Sequence, residues 1–346
     1  MSSAERLGRI FARLGLAPAG AGAQAVVAAD ARWVFDEALV RALASRPGVI
    51  LVVDAGEPAA VHAVGAAVAR LAAGEDIATA AEGYPRLGAG EVGSAYNSEL
   101  RKREPPILTR LSADTVRAVE KRLFQGSYKG VTDLVTKHVW PAPARVVTRW
   151  CAVAKITPNQ VTFASFLLVL AAFWLFWTQQ FGLGLVAAWA MTFLDTVDGK
   201  LARVTLTSSK WGNVFDHGID LIHPPFWWWA WLVGVQAGAH PLGQAELILA
   251  VIVGGYVVQR MLEGVFLARF KVEMHAWRPF DSFFRQITAR RNPNLLLLTP
   301  LALVGRPDIG LVLVAIWTAL SLLVHLIQVL QALAAPRGQV TSWLSR

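Results

Sequence analysis

The chain has 346 residues, of which 55% are hydrophobic and only 16% charged, and its net charge is +9. A soluble domain of this length carries nearer a quarter charged residues, so a wholly soluble fold is excluded. The positive balance reads first as membrane topology, not as nucleic-acid binding, and the single cysteine, Cys151, excludes an intrachain disulfide.

In chain order, residues 1–22 set Arg6, Arg9 and Arg13 among small apolar residues. The stretch lacks the long apolar centre of a secretory signal, and a short amphipathic helix is expected. Val49 to Val53, followed by Asp54, is a β-branched run between Gly48 and Gly56 and predicts a buried strand. Residues 24–29 give a weaker strand signal. Residues 36–44 have helical spacing of Leu and Ala, and the Ala- and Val-rich residues 59–73 read as another helix. This alternation predicts a small soluble α/β domain over residues 1–124.

Residues 125–156 form a basic junction, with Lys129, Lys137, Arg145, Arg149 and Lys155 interleaved with Trp140 and Trp150. That pattern suits a helix on an anionic membrane face; a basic polar linker is the alternative. No Asp, Glu, Lys or Arg occurs in residues 156–194, which gives room for two spans of about 20 residues each with a turn at Gln179 to Gly182. Further apolar segments at residues 221–245, 247–268, 292–305 and 309–336 complete an expected α-helical polytopic fold of six transmembrane helices over residues 157–334.

The charged loops give an orientation. Lys200, Arg203 and Lys210 follow the second span; Arg269, Lys271, Arg278, Arg285, Arg290 and Arg291 follow the fourth; Arg337 and Arg346 follow the sixth. The alternate loops near Gln180, His240 and Arg306 are nearly bare of positive charge. The positive-inside rule puts both termini and both basic loops in the cytoplasm. The cluster Trp227, Trp228, Trp229 and Trp231 fits either an interfacial belt or the bundle interior.

Chemistry concentrates between the second and third spans. Asp195 and Asp198 are three apart, and Asp216 and Asp220 are four apart. On helices, each pair shows both carboxylates on one face, and a short loop lets the pairs converge. Four carboxylates at a membrane boundary repel one another and are costly to desolvate. Divalent cations offset that, and Mg²⁺ or Mn²⁺ suits carboxylate and phosphate oxygens; two such ions would bridge the carboxylates to a pyrophosphate. Gly199, Ala202 and Gly212 remove side chains where two helices and a nucleotide approach, and Arg203 offers a guanidinium fork for phosphate.

The spacing D-x2-D-G-x2-A-R-x8-G-x3-D-x3-D, from Asp195 to Asp220, resembles the signature of the CDP-alcohol phosphotransferase family over about residues 157–334. The resemblance implies a six-helix, usually dimeric membrane enzyme that transfers a phospho-alcohol from a CDP-alcohol donor and releases CMP. It implies metal ligation by Asp195, Asp198, Asp216 and Asp220, with Asp220 also at the position of the general base. Gly199, Arg203 and Ser209 match positions that touch the CDP moiety, and Thr157, Pro158 and Asn159 match a segment beside the nucleotide.

The segments around Ser127, Arg278 and Arg290 resemble a branch that includes fused inositol-phosphate cytidylyltransferase/di-inositol-phosphate phosphate synthases. That branch implies an alcohol or polyol-phosphate acceptor, with Lys137, Arg260, Arg290 and Arg291 either lining its pocket or serving as topological charges. Residues 1–124 faintly resemble the middle of a sugar-phosphate nucleotidyltransferase, through Val26 to Asp30 and Trp33 to Asp36. The Gly-rich nucleotide loop is missing, so a degenerate, non-catalytic domain is expected. Against the enzyme stand a transporter or ion-coupled channel using intramembrane carboxylates, and a membrane-anchored scaffold. The first lacks evident inverted repeats, and the second leaves the aspartate spacing unexplained.

Overall fold

A computed structural model describes residues 1–20, 22–53, 56–336 and 338–346, and leaves out the side chains of Lys210 and Asn213. Asp54, at the end of an expected strand, Arg337, an expected topological cation, and the Lys210 side chain therefore lie outside the described residues. The chain divides into two compact units, Met1–Gly130 with Val204–Leu206, and Val131–Arg203 with Thr207–Arg346.

The first unit begins with α1 (Ser3–Arg13), whose first turn is capped by Ser2 accepting from the Glu5 N–H. Then come β1 (Ala25–Ala29), β2 (Trp33–Phe35), α2 (Glu37–Ala44), β3 (Val49–Val52), β4 (Pro58–Val64), α3 (Ala66–Ala72) and α4 (Ile77–Ala80). β5 (Arg86–Gly88), α5 (Ala89–Val92), β6 (Tyr96–Asn97), β7 (Lys102–Arg103), β8 (Leu108–Arg110) and α6 (Val116–Gly126) follow. The main sheet has the order β1-β4-β3-β5, with β3 and β5 parallel. Val49, Leu51 and Ala60 face a core shared with Leu7, Ile10 and Leu39, while Ile50, Val52, Val61 and Ala63 face a second core with Ala67. Burial on both faces explains the unbroken apolar run of β3.

The helix expected over residues 59–73 is two elements. Residues 58–64 form β4, hydrogen-bonded to β1 on one side and β3 on the other, and only residues 66–72 are helical. Two ladders and the burial of Ala59, Ala60, Val61 and Ala63 outweigh the helical preference of alanine. Gly65, at φ 58°, makes the break.

The second unit is helical throughout its regular structure. A π-helical turn, Val135–Val139, leads into α7 (Pro141–Val153), α8 (Pro158–Trp177), α9 (Phe181–Thr205), α10 (Lys210–Gln236) and α11 (Ala245–Phe270). After a 3-10 turn at Met274–Ala276 come α12 (Pro279–Phe284), α13 (Arg291–Leu303) and α14 (Pro307–Ala334). Among the described residues four helices, α8, α9, α11 and α14, are long and apolar enough to cross a membrane. α10 has 27 residues, but its first half carries Asp216, His217, Asp220 and His223. α13 has 13, about 20 Å of helix at 1.5 Å per residue, against a hydrocarbon core of about 30 Å.

The core draws on α8, α9, α10, α11, α13 and α14. A Cβ at Gly234 would collide with the Phe176 carbonyl, so glycine allows α10 and α8 to touch. Trp227, Trp228 and Trp231 are fully buried, while Trp229 stays exposed. Trp227 and Trp231 donate their indole N–H groups to the Val169 and Pro307 carbonyls, at 3.0 and 3.1 Å. The tryptophan cluster is thus mostly bundle interior. Pro224 and Pro225 lie inside α10 and cannot donate to the Asp220 and Leu221 carbonyls. The Tyr256 hydroxyl on α11 donates to the Leu221 carbonyl at 2.9 Å.

Candidate active site

Asp195 and Asp198 lie in the C-terminal half of α9, and Asp216 and Asp220 in the N-terminal half of α10. The loop between them is short because α10 starts at once: the Ser209 hydroxyl accepts from the Gly212 N–H at 2.9 Å and caps it. Carboxylate oxygens of Asp195, Asp198 and Asp216 all lie within 4.8 Å of one another. At that separation two carboxylates repel by roughly 3 kcal/mol at an effective dielectric of about 20. Asp198 is the most enclosed, at 3% exposure. Its Oδ2 accepts from the Thr162 hydroxyl at 2.6 Å, and its Oδ1 is buried with no hydrogen-bond partner. Convergent carboxylates with an orphaned buried oxygen are the donor set a hard divalent cation needs. Thr162 escaped sequence reasoning; the only trace is a hydroxyl five residues into an apolar span.

Asp220 stands apart from that trio. Its side chain is 41% exposed, against 17% for Asp195, and Arg291 at the start of α13 bridges the two, with N–O distances of 2.5 Å to each. Asn292, next in sequence, donates to Asp133 Oδ1 at 2.9 Å. Burial pushes the Asp133 carboxyl up, but the Arg285 guanidinium, the Thr136 N–H and Asn292 outweigh it and hold it below the usual carboxylate range.

The expected nucleotide-side residues gather around the same loop. Thr157 and Gln160 form a reciprocal cap on α8, with Pro158 in its first turn. That cap aims Asn159 at Gly212: a Cβ on Gly212 would sit 2.7 Å from Asn159 Oδ1 and 2.9 Å from Ser209 Oγ. Arg203 folds back over Gly199, where a Cβ would meet its guanidinium at 3.1 Å. Ala202, beside Arg203, is half-buried.

The four expected acceptor residues do not form one group. Arg260 and Arg290 both pair with Glu263, at 2.9 and 2.5 Å. Arg291 is on the aspartates, and Lys137 is exposed on the π-helical turn. Glu263, His275 and His325 also have ligand atoms within 4.8 Å of one another. Arg290 Nη2 occupies that space, 2.6 Å from Glu263 Oε1 and 3.2 Å from His275 Nε2, so the cation already there is a guanidinium. Burial pushes His275 down to about 3, against the pull of Glu263, so its imidazole is neutral.

Long apolar helices with a buried carboxylate centre define an integral membrane protein whose site can hold divalent metal. The family model for CDP-alcohol phosphatidyltransferase matches residues 155–334, just over half of the chain, and the chain belongs to that family. It is similar to archaetidylinositol phosphate synthase of Pyrococcus horikoshii, at 33% identity over 117 residues, covering 34% of this chain and 58% of the relative. It is also similar to cholinephosphotransferase 1 of Xenopus laevis, at 29% identity over 144 residues, covering 38% of this chain and 34% of the relative. The matches thus span less than two thirds of either relative.

Proposed function

We propose that the chain is an integral membrane transferase that moves a phospho-alcohol group from a CDP-alcohol to an alcohol acceptor and releases CMP. The observation that carries this reading is the convergence of Asp195, Asp198 and Asp216 within 4.8 Å, in a chain of this family. Asp195, Asp198 and Asp216, with Asp220 at the rim, would hold two divalent cations, Mg²⁺ or Mn²⁺. When bound, these supply charge neutralisation on the pyrophosphate and the leaving phosphate. Asn159, Ser209, Arg203 and the bare backbone at Gly199 and Gly212 would seat the CDP moiety.

Asp220 is the most open of the four carboxylates, which suits it to meet an incoming hydroxyl once Arg291 has left it. It takes the acceptor's proton as the O–H bond breaks. The acceptor oxygen bonds to the β-phosphorus, the bond from that phosphorus to the bridging oxygen breaks, and CMP departs with the electron pair.

The donor is a CDP-diacylglycerol or CDP-polyol type molecule, in phospholipid or polyol-phosphodiester synthesis. A polyol-phosphate acceptor is favoured by Arg260, Arg285 and Arg290, which lie around Glu263 and Asp133 and exceed them in charge. The archaetidylinositol phosphate synthase similarity points the same way. The basic loops after α9 and α11 support six spans, with α10 and α13 counted, and with the site and both termini in the cytoplasm. A homodimer is the expected assembly. In the first unit, Asp30 is paired with Arg32, and Asp36 caps α2 while also accepting from the Ile107 N–H. Both are spent on structure, which supports a domain without cytidylyltransferase activity.

The test is CMP release by purified protein from a panel of CDP-alcohols, with polyol phosphates and lipid alcohols as acceptors. Mg²⁺-dependent release that EDTA and Asp216→Asn abolish is expected. Release that persists in EDTA, or none with any donor, would sink the proposal.

A further inference from the structure

The starting point is the buried tie between Asp133 and the first turn of α13. α13 begins with no side-chain hydrogen bond from its N-cap, Arg290, to the first turn; the Arg290 guanidinium turns to Glu263 instead. The neighbouring segment ties that turn down. Asn292 is 4% exposed and Asp133 8%. The Asn292 amide donates to Asp133 Oδ1 at 2.9 Å and lies 3.3 Å from Thr136 Oγ1. Asp133 Oδ1 also accepts from the Thr136 N–H at 3.0 Å, and the Leu134 N–H donates to the Gln286 carbonyl at 2.9 Å. A carboxylate buried this deeply is expensive to retain unless its geometry matters.

What that geometry controls is one residue away. Arg291 spans Asp195 on α9 and Asp220 on α10. Its guanidinium bonds one carboxylate oxygen of each, Asp195 Oδ2 and Asp220 Oδ1. We infer that Arg291 is a built-in cation that competes with divalent metal for Asp195 and Asp220, and that Asp133 and Asn292 are the positioning residues that hold it in place. The inference rests on the metal-dependent reading above. A tethered guanidinium has little freedom to lose when it pairs, so it competes well; untethered, it yields sooner. The metal would displace Arg291 from the carboxylates and so free its fork for an anionic group entering with substrate.

The experiment is Mn²⁺ binding to the full-length protein in nanodiscs, read by the loss of the free Mn²⁺ EPR signal, with no nucleotide or acceptor present. Arg291→Gln should bind Mn²⁺ about tenfold tighter than wild type, as expected of a typical coupling between sites. Asp133→Ala and Asn292→Ala should each tighten binding by about threefold, and neither should add to Arg291→Gln, because both act through it. Asp133→Asn, which keeps an acceptor oxygen in place, covers the case in which the alanine variant fails to fold, and it should show a smaller shift in the same direction. Equal or weaker binding by Arg291→Gln would overturn the inference. So would additive effects of Asp133→Ala and Arg291→Gln. No Mn²⁺ binding by any variant would sink the metal reading beneath it as well, whereas binding indifferent to residues 133, 291 and 292 would sink this inference alone.

Discussion

Gly212→Ala separates what the fold needs from what the site needs. The new Cβ would lie 2.7 Å from Asn159 Oδ1, where ordinary contact begins at 3.4 Å, so one of the two must give way by about 0.7 Å. The Asn159 amide is the end of a side chain and turns aside at little cost to the fold. Disturbing the Ser209 cap costs about 1 kcal/mol, and replacing a helical glycine by alanine returns about 0.5–1 kcal/mol, so stability should hardly change. Displacing Asn159, the proposed donor-binding group, by most of an ångström is another matter, since 1 Å can cost about a hundredfold in rate. The expected fall in kcat/KM for the CDP donor is about 10- to 100-fold, or about 1.4–2.8 kcal/mol, with thermal unfolding unchanged. Gly218→Ala is the control: it has open space at its Cβ and points away from Asp216 and Asp220 on the same helix, so both measurements should stay at the wild-type level. If Gly212→Ala keeps kcat/KM within threefold while folding normally, Asn159 and Gly212 do not line the donor site.

Asp198→Asn removes one charge from a buried, mutually repelling trio. In EDTA it should unfold at a higher temperature than wild type and show no further protection by Mg²⁺; lower stability in EDTA would refute the repulsion argument. Tyr256→Phe strips the Leu221 carbonyl of its donor and should cost about 1–2 kcal/mol in thermal unfolding; an unchanged transition would show that the carbonyl has another partner. His275 binds its proton at about pH 3 when folded and near 6.5 when unfolded. Between those values the unfolded chain holds the extra proton, so the stabilising contribution is complete above pH 6.5 and falls on acidification by up to about 1.4 kcal/mol per pH unit. Wild type should therefore lose stability more steeply than His275→Asn between pH 6.5 and 5, and parallel curves would refute the assignment.

The membrane helices were legible because uncharged runs have one physical meaning, and the aspartate loop was legible because its spacing maps directly onto one helix face on either side. β4 was not. Residues 58–64 carry alanine and valine, which suit a helix locally, and only the pairing with β1 and β3, distant in sequence, makes them a strand. At the site, spacing located the carboxylates but not their neighbours. Thr162 and Arg291 reach the centre from α8 and α13, and no local pattern announces a contact between residues 36, 71 or 96 positions apart. The four basic residues expected at one acceptor pocket separate for the same reason: Arg260 and Arg290 meet Glu263, Arg291 meets Asp195 and Asp220, and Lys137 is exposed.

The proline pair of α10 gives the site a mechanical character. Two missing rungs leave the helix weakest just beyond Asp220, between a half packed on tryptophan and a half that carries Asp216 and Asp220. Tyr256 splints that joint from α11. Strain on the apolar half, from lipid thickness or a neighbouring chain, is therefore taken up at residues 221–225 before it reaches the carboxylates, and α11, through Tyr256, is placed to pass it on.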